Sequence, residues 1–387
     1  MDFALTEDQR ILLDSFEKFG RKELEPLADE YDRNKTLRDP AVVKGLLKKL
    51  YPFGAASGPI PEEYGGLGMD YVTTGLIAER LSGFFGSLAG VCLIQTVCGR
   101  LMTESPNEAC KKNVLPAICS GDSIGCLCVT EPDVGSFAAA IGTALKKVDR
   151  GYLLNGTKTW ISNGSISDKA IVIATIDRSL GPKGLTAVLV DRDRSPYQTR
   201  ELEKMGMKAF PTSELIFEDV KVPADHLIAE PGQGLKTTLR TFELARSLMA
   251  VGSVGMSRAA LALAVKYAQE RKQFGKEIGS FQLIQAMISD MRTRTDAAAL
   301  LTYRAFWMMD QGERCDAQSA MAKYYATEAA VETASECVQI LGGYGLSEEY
   351  PAERYFRDAR MQTIPDGTTQ IQKLIVGRDT LGLSAFV

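Results

Sequence analysis

Apolar positions recur at helical spacing along the first third of the chain. Ile11, Leu12, Phe16 and Phe19 follow Thr6-Glu7-Asp8-Gln9, where a hydroxyl can accept from the third helical N–H while the glutamine reaches back to the cap. Val42, Val43, Leu46, Leu47 and Leu50 follow Asp39-Pro40, and the helical pattern returns over residues 71–102. In between, Gly58-Pro59-Ile60-Pro61 and Gly65-Gly66-Leu67-Gly68 forbid helix. Near Gly121 the period changes. Residues 124–129 predict a buried strand. Residues 152–154, Asn155-Gly156 and 157–162 predict a hairpin around an Asn-Gly turn, and 170–176, 186–190 and 214–217 predict further strands. No crossover helix fits between them, so the sheet is expected to be antiparallel. From Gly232 helical spacing resumes, with helices expected over 235–271, 280–312, 315–341 and 368–381. The expected fold is mainly α with an inserted β domain. An N-terminal helical domain (1–120) precedes a middle antiparallel β barrel or sandwich (121–230) and a C-terminal four-helix bundle (231–387). A junction of three such units is a frequent place for a ligand.

Composition narrows the function classes. The 387 residues are 45% hydrophobic and 24% charged, with net charge −4 and no basic block, which argues against nucleic acid as a partner. No uninterrupted apolar run reaches the ~18 residues of a membrane span, and the first residues lack the pattern of a signal peptide, so no membrane insertion and a cytoplasmic location are expected. The eight cysteines include no C-x-x-C pair and find no histidine-rich partners, so no metal site is expected and reduced, buried thiols are. His226 is the only histidine and follows Val222-Pro223-Ala224-Asp225, a surface turn. Mechanisms built on a Ser-His-Asp set are therefore poor fits, and a carboxylate is the better candidate base.

That carboxylate is Asp366, in Ile364-Pro365-Asp366-Gly367-Thr368-Thr369-Gln370. Proline fixes the approach, glycine permits close contact, and a helix begins directly after. An aspartate near a helix start also has a plain capping role. Other stretches share this two-sided character. Val129-Thr130-Glu131-Pro132 through Gly135-Ser136 closes the first strand and offers hydroxyls and backbone N–H groups. Trp160-Ile161-Ser162-Asn163-Gly164 offers a flat face and a donor suited to a planar heteroaromatic ring, although such a tryptophan is more often a core aromatic. Arg271-Lys272-Gln273-Phe274-Gly275 ends a helix with a guanidinium suited to phosphate or simply favoured by the helix dipole. Gln339-Ile340-Leu341-Gly342-Gly343 ends another helix with glycines that serve as a C-cap or let a ligand approach.

Taken together and in this order, V-T-E-P…G-S, W-I-S-N-G, Glu243 and Arg246 as E-x-x-R, R-K-Q-F-G, Q-I-L-G-G-Y-G and D-G-T-T-Q-I-Q resemble the acyl-CoA dehydrogenase family, and the resemblance spans essentially the whole chain. It implies an FAD-dependent α,β-dehydrogenation in which Asp366 takes the α-proton and the β-hydrogen leaves as hydride to flavin N5. It further implies that Cys128, Val129, Thr130, Trp160 and Ser162 lie along the flavin, and that Ser136, Glu243, Arg246 and Gly367 face the acyl-CoA, with Ser136 shared with the cofactor. Arg271, Phe274, Gln282, Gln339, Gly342 and Gly343 match contacts to the FAD of a neighbouring subunit, and Thr368 and Gln370 match its adenosine side. A homotetramer and an electron-transfer flavoprotein as acceptor are the implied partners.

Departures from the family pattern bear on the substrate. The family usually has glutamate at Asp366, so the reach of the base is shorter by one methylene, about 1.5 Å. Ala245 stands where some members carry a relocated glutamate, Phe137 follows Ser136 where aspartate is usual, and Lys208-Ala209-Phe210 replaces smaller residues. Together with Ala245, the short base suggests room beside the α-carbon and resembles dehydrogenases of alicyclic thioesters. The expected substrate is cyclohexane-1-carboxyl-CoA, giving cyclohex-1-ene-1-carboxyl-CoA. A short straight or branched chain is the alternative, and a non-catalytic acyl-CoA/FAD-binding protein is the rival of another class.

Overall fold

The computed structural model describes residues 4–385. Its N-terminal part packs α1 (Glu7–Phe19), α2 (Ala28–Asn34) and α3 (Pro40–Leu50) on a long helical run, α4 (Tyr71–Thr103), followed by α5 (Glu108–Ser120). The expected capping box is present: Gln9 N donates to Thr6 Oγ1 at 3.2 Å and Thr6 N donates to Gln9 Oε1 at 3.0 Å. Asp39 caps α3 through Ala41 N at 2.8 Å. The α4 run is not one rod. Phe85 breaks it at φ −150, ψ 85, and Arg100 Nε donates to Tyr71 Oη at 3.2 Å. A straight helix would hold those two residues roughly 40 Å apart at 1.5 Å per residue, so the two arms fold back on each other.

The middle part is an eight-stranded sheet. Its strands are β1 (Gly125–Cys128), β2 (Ala144–Val148), β3 (Gly151–Ser162), β4 (Lys169–Thr175), β5 (Leu185–Asp191), β6 (Gln198–Glu201), β7 (Thr212–Pro223) and β8 (Leu227–Ala229), ordered β6-β7-β3-β2-β4-β5-β8 with β1 alongside β4. Two expectations need correction. The sheet is not wholly antiparallel: β1 runs parallel to β4, and so does the single β2–β4 pairing. The Asn155-Gly156 pair does not turn the chain either. It lies inside the continuous strand β3 as a register shift against β7, and the chain turns instead between Val148 and Gly151. Gly156 sits at φ +148 with Thr143 Oγ1 only 2.6 Å from where a Cβ would be, so the glycine serves a bulge. The Asn155 side chain is held by both the backbone N–H and the carboxylate of Asp219.

The sheet is covered on both faces. Along β4, Ile171 and Ile173 pack toward α4 and α5, while Ala170, Val172 and Ala174 fill the β core with Val188, Val190, Leu215 and Phe217. This is the period-two alternation of a strand buried on both sides.

The C-terminal part is built on α6 (Gly234–Glu270), a short hairpin β9 (Lys272–Gln273) and β10 (Lys276–Glu277), α7 (Gln282–Asp310), α8 (Asp316–Leu341), α9 (Ala352–Gln362) and α10 (Thr369–Leu381). Ala250, Val254, Ala298, Ala322, Ala326 and Ala329 form a small-residue seam that lets α6, α7 and α8 approach closely. Helix α9 lies outside the helices read from periodicity. Contrary to the sequence expectation, Tyr71–Thr103 and Gly234–Glu270 are long and apolar enough to cross a membrane, but 72% and 61% of their apolar windows are buried inside the protein, as in core helices. All eight cysteines are buried and free.

Candidate active site

Asp366 follows the end of α9 in a strained turn. It adopts φ +54, unusual for a residue with a side chain, and Gly367 follows at φ +92. Two side chains from inside the bundle pin this turn. Lys323 Nζ, on α8, donates to Gly367 O at 3.0 Å, and Gln372 Nε2, on α10, donates to Asp366 O at 2.9 Å and Gly367 O at 3.0 Å. Thr368, not Asp366, caps α10, accepting from Ile371 N. The plain capping role is thus taken by another residue, and the Asp366 side chain is left to face a cleft.

The cleft encloses about 700 Å³ of non-atom space including its mouth. Ala89, Gly90 and Leu93 of α4, Leu248, Met249 and Gly252 of α6, and Met207, Phe210, Met361 and Ser162 line it together with Asp366. Among the described residues, Asp366 is the only carboxylate or cation in its walls. Burial raises the Asp366 carboxyl above the ordinary aspartate range, and the charges of Lys323 and Arg246 partly offset this. Lys323 has no exposed surface. Burial pulls its ammonium down to about 8 against the opposing pull of Asp366 and Glu328. Ala245 is 1% exposed but is not a wall of the cleft. The small walls of the cleft include Ala89, Gly90 and Gly252.

The other sequence candidates fall into three places. Trp160 stands at the sheet's end with φ +58 and is 57% exposed, so it is not a core aromatic. Close by in sequence, the loop after Cys128 is fastened by a buried ion pair: Lys158 Nζ donates to Val129 O and to Glu131 Oε1, both at 2.9 Å. Glu131 also accepts from Thr143 N and Gly142 N at 2.8 Å. Ser136 and Phe137 project from that loop to solvent.

Glu243 and Arg246 are both engaged by the start of α8. Arg246 Nη1 donates to Asp316 Oδ1 at 2.6 Å, and Arg314 Nε donates to Glu243 Oε1 at 2.7 Å. Beside them a groove of about 810 Å³ including its mouth is lined by Tyr71, Arg100, Glu104, Arg240, Glu243 and Arg314. Its three guanidiniums suit phosphate oxygens.

Arg271, Gly342 and Gly343 meet Tyr267 and Tyr344 in a further groove of about 950 Å³ including its mouth. Gly342 takes φ +61, ψ −132 with open space where a Cβ would be, and Phe274 beyond the helix end is 93% exposed. Gln282, Gln339 and Gln370 are exposed as well, and Thr368 is half-buried. An open glycine-lined groove with a free guanidinium fits a pyrophosphate-bearing ligand, and the exposed indole of Trp160 with Ser162 at the cleft fits a flat ring. The residues present therefore fit FAD. Sequence reasoning missed Lys323, Lys158 and Glu131 as site residues. The signal for Lys323 was its position among Ala320, Ala322 and Ala326 in an alanine-rich helix. His226 sits in its turn with Nδ1 3.1 Å from Leu189 O, and no set of metal-ligating residues forms among the described residues.

Comparison with known proteins matches this geometry. The chain matches the family models for the acyl-CoA dehydrogenase N-terminal domain over residues 6–122, the middle domain over 126–220 and the C-terminal domain over 232–381. It is 36% identical to glutaryl-CoA dehydrogenase of Desulfococcus multivorans, covering 99% of each chain. It is likewise 36% identical to the human mitochondrial short-chain specific acyl-CoA dehydrogenase, covering 96% of this chain and 90% of that one. Among solved structures, butyryl-CoA dehydrogenase from Megasphaera elsdenii superposes with a TM-score of 0.94 at 35% identity, over 98% of this chain and 100% of that one. PigA with FAD and proline superposes with a TM-score of 0.93 at 28% identity, over 99% and 100%. Matched by all three domain models and by full-length relatives at 36% identity, the chain belongs to the acyl-CoA dehydrogenase family, the FAD-dependent oxidoreductases that act on acyl-CoA thioesters.

Proposed function

We propose that this enzyme dehydrogenates a compact, uncharged acyl-CoA, with cyclohexane-1-carboxyl-CoA as the preferred class of substrate and cyclohex-1-ene-1-carboxyl-CoA as product. The observation that carries this reading is a cleft whose one charged wall is the short base Asp366 and whose sides carry Ala89, Gly90 and Gly252. A dicarboxylic acyl group such as the glutaryl of the similar glutaryl-CoA dehydrogenase would leave its distal carboxylate unpaired here, because no lysine or arginine lines the cleft. A ring brings bulk beside the α-carbon, and a base one methylene shorter leaves space for it.

In this reading Asp366 removes the α-proton. Its raised pKa makes it a stronger base than a free aspartate. The backbone N–H beside the base, on Gly367, donates to the thioester carbonyl and stabilises enolate character. Bound FAD supplies the hydride acceptor for the β-hydrogen. Val129, Thr130, Trp160 and Ser162 with the Cys128 backbone would hold the flavin ring. Ser136, Glu243 and Arg246 would hold the CoA portion, and Arg271, Phe274, Gln282, Gln339, Gly342 and Gly343 would serve the FAD of an adjoining subunit in a homotetramer. Thr368 and Gln370 would meet the adenosine side. An electron-transfer flavoprotein is the acceptor in this scheme, and peroxide formed at the turnover rate would overturn that part.

Purified protein is expected to be yellow and to bleach anaerobically with cyclohexane-1-carboxyl-CoA. Asp366→Asn should keep the FAD and lose bleaching. Discrimination lies in kcat/KM: butyryl- or isobutyryl-CoA ahead by tenfold would replace the ring with the short-chain alternative. Absence of bleaching across a broad thioester panel would favour the non-catalytic rival.

A further inference from the structure

The deep part of the acyl cleft is not uniformly apolar. Ser82 on α4 and Gln362 at the end of α9 both line it, and both are 5% exposed. Buried helical hydroxyls in this protein ordinarily donate to the carbonyl four residues back, as Thr96 does to Cys92 O at 2.9 Å and Ser257 to Ser253 O at 2.9 Å. Ser82 makes no such bond, and its oxygen is not among the sealed, unpartnered polar atoms, so it opens to the cleft it lines. Gln362 is equally underused. Its Nε2 faces only the thioethers of Met207 at 4.0 Å and Met256 at 3.9 Å, both weak acceptors. Its Oε1 lies 3.4 Å from Ser253 Oγ, whose proton is also directed at Met249 O at 3.0 Å. A buried amide with no strong partner is costly, and a hydrogen-bonding ligand group would relieve that cost.

Both groups border the same stretch of α6. A Cβ on Gly252 would stand 3.1 Å from Ser82 Oγ, and the next residue, Ser253, is the one that reaches Gln362. Asp366, Ser82 and Gln362 line the same cleft, so an acyl group with its α-carbon at the base extends along walls that include the pair.

We propose that Ser82 and Gln362 form a specificity site for a neutral hydroxyl carried on the acyl group, opposite the thioester. The inference rests on the dehydrogenase reading of this cleft. A hydroxyl suits the pair better than a ketone, because it accepts from Gln362 Nε2 and donates to Ser82 Oγ, whereas a ketone only accepts. A carboxylate is excluded from the pair for want of a nearby cation.

The test compares cis- and trans-4-hydroxycyclohexane-1-carboxyl-CoA, the 4-oxo thioester and the unsubstituted ring thioester on the FAD-loaded enzyme, Ser82→Ala and Gln362→Met. The wild type should favour one hydroxy isomer over the unsubstituted thioester by at least tenfold in kcat/KM, and each variant should lower that ratio at least fivefold. In the Asp366→Asn background, where turnover is absent, the same variants should weaken binding of the hydroxy thioester by a similar factor. Melting temperature and FAD content verify that each variant is folded, and Ser82→Gly replaces any Ser82→Ala protein that is not. Parity between hydroxy and unsubstituted rings in the wild type, a stronger preference for the 4-oxo ring, or ratios unmoved in both variants would overturn the proposal. If no ring thioester binds or reacts, the ring reading fails by itself. The pair 5-hydroxypentanoyl- and pentanoyl-CoA then decides the hydroxyl site on the same criterion, by binding to Asp366→Asn if neither turns over.

Discussion

Asp366 and Lys323 act on each other across a turn that neither occupies alone. Asp366 works as a base only when ionised, and burial raises its pKa while Lys323 and Arg246 hold it down. The charged groups around Lys323 are Asp366 on the turn, Glu328 on its own helix and Arg246 on α6. Asp316 and Arg378 extend that network through Arg246. Removing the ammonium lifts the Asp366 pKa further, so the acid limb of kcat/KM moves to higher pH. Lys323→Met is expected to lose at least tenfold in kcat/KM near pH 6 and to recover part of it by pH 8–9, because each pH unit below a base's pKa costs about tenfold in its ionised fraction. Lys323→Arg keeps the charge and should hold the limb in place. A pH profile of Lys323→Met that parallels the wild type would reduce Lys323 to a packing role. Asp366 was legible beforehand because Pro365, Gly367 and a following helix single it out. Lys323 was not, because a lysine in a helix ordinarily snorkels to water. Only its place among alanines that pack on α6 hints that water is absent.

At the scale of elements, the sequence was readable where one face of a helix or strand is apolar and unreadable where buried surface is polar. Helix α9 shows the second case. Its eleven residues include Glu353, Arg354, Arg357, Asp358 and Arg360; Ala352, Tyr355 and Ala359 form its packed apolar face, and charge ties it down further. Arg354 Nε donates to Asp29 Oδ1 at 2.7 Å, Arg357 Nη2 donates to Asp32 Oδ2 at 3.0 Å, and Asp358 accepts from Met207 N. Thus α9 joins α2 to the segment bearing Met207 and Phe210, two walls of the cleft. The break at Phe85 was hidden for the opposite reason, since both arms of α4 are apolar and the pattern runs through. The bulge at Asn155-Gly156 was misread because an Asn-Gly pair is also the commonest hairpin turn signal. Asp358 gives the α9 anchorage a pH dependence. Burial raises its carboxyl from 3.8 to about 6, so the folded state binds the proton more tightly than the unfolded chain. The stability it contributes is fully present below about pH 4 and is lost as pH rises through 6, on the order of 3 kcal/mol in all. Asp358→Asn should therefore gain stability relative to the wild type between pH 5 and 7.5, measured as the difference in denaturant midpoints. A pH-independent difference would show that the proton is not held there.

Over the whole molecule, the switch of period from helix to strand and back marked the three-part order, and the antiparallel assumption failed because the chain returns to lay β4 parallel to β1 after running through the β2–β3 hairpin, with no crossover helix between. Two of the hollows in the single chain share no wall: the acyl cleft with Asp366 and Ser162, and the groove with Arg271, Gly342 and Gly343. Just past Gln273 of the second, Phe274 is 93% exposed, and Leu283 at the start of α7 is 81% exposed; large exposed apolar groups near a ligand groove mark an interaction surface. If the groove serves the FAD of an adjoining subunit, cofactor retention and assembly are one equilibrium, because a ligand bound across an interface stabilises that interface by mass action. Phe274→Asp with Leu283→Asp places two charges on this surface without touching the cleft. The double variant is expected to sediment as a smaller species and to lose most of its FAD in the same concentration range, read as flavin absorbance against protein mass in one sedimentation run. Added FAD should shift the wild type, and not the variant, toward the larger species. A dissociated variant that keeps one FAD per chain would show that each protomer holds its cofactor alone, and the groove at Gly342 would then need a different ligand.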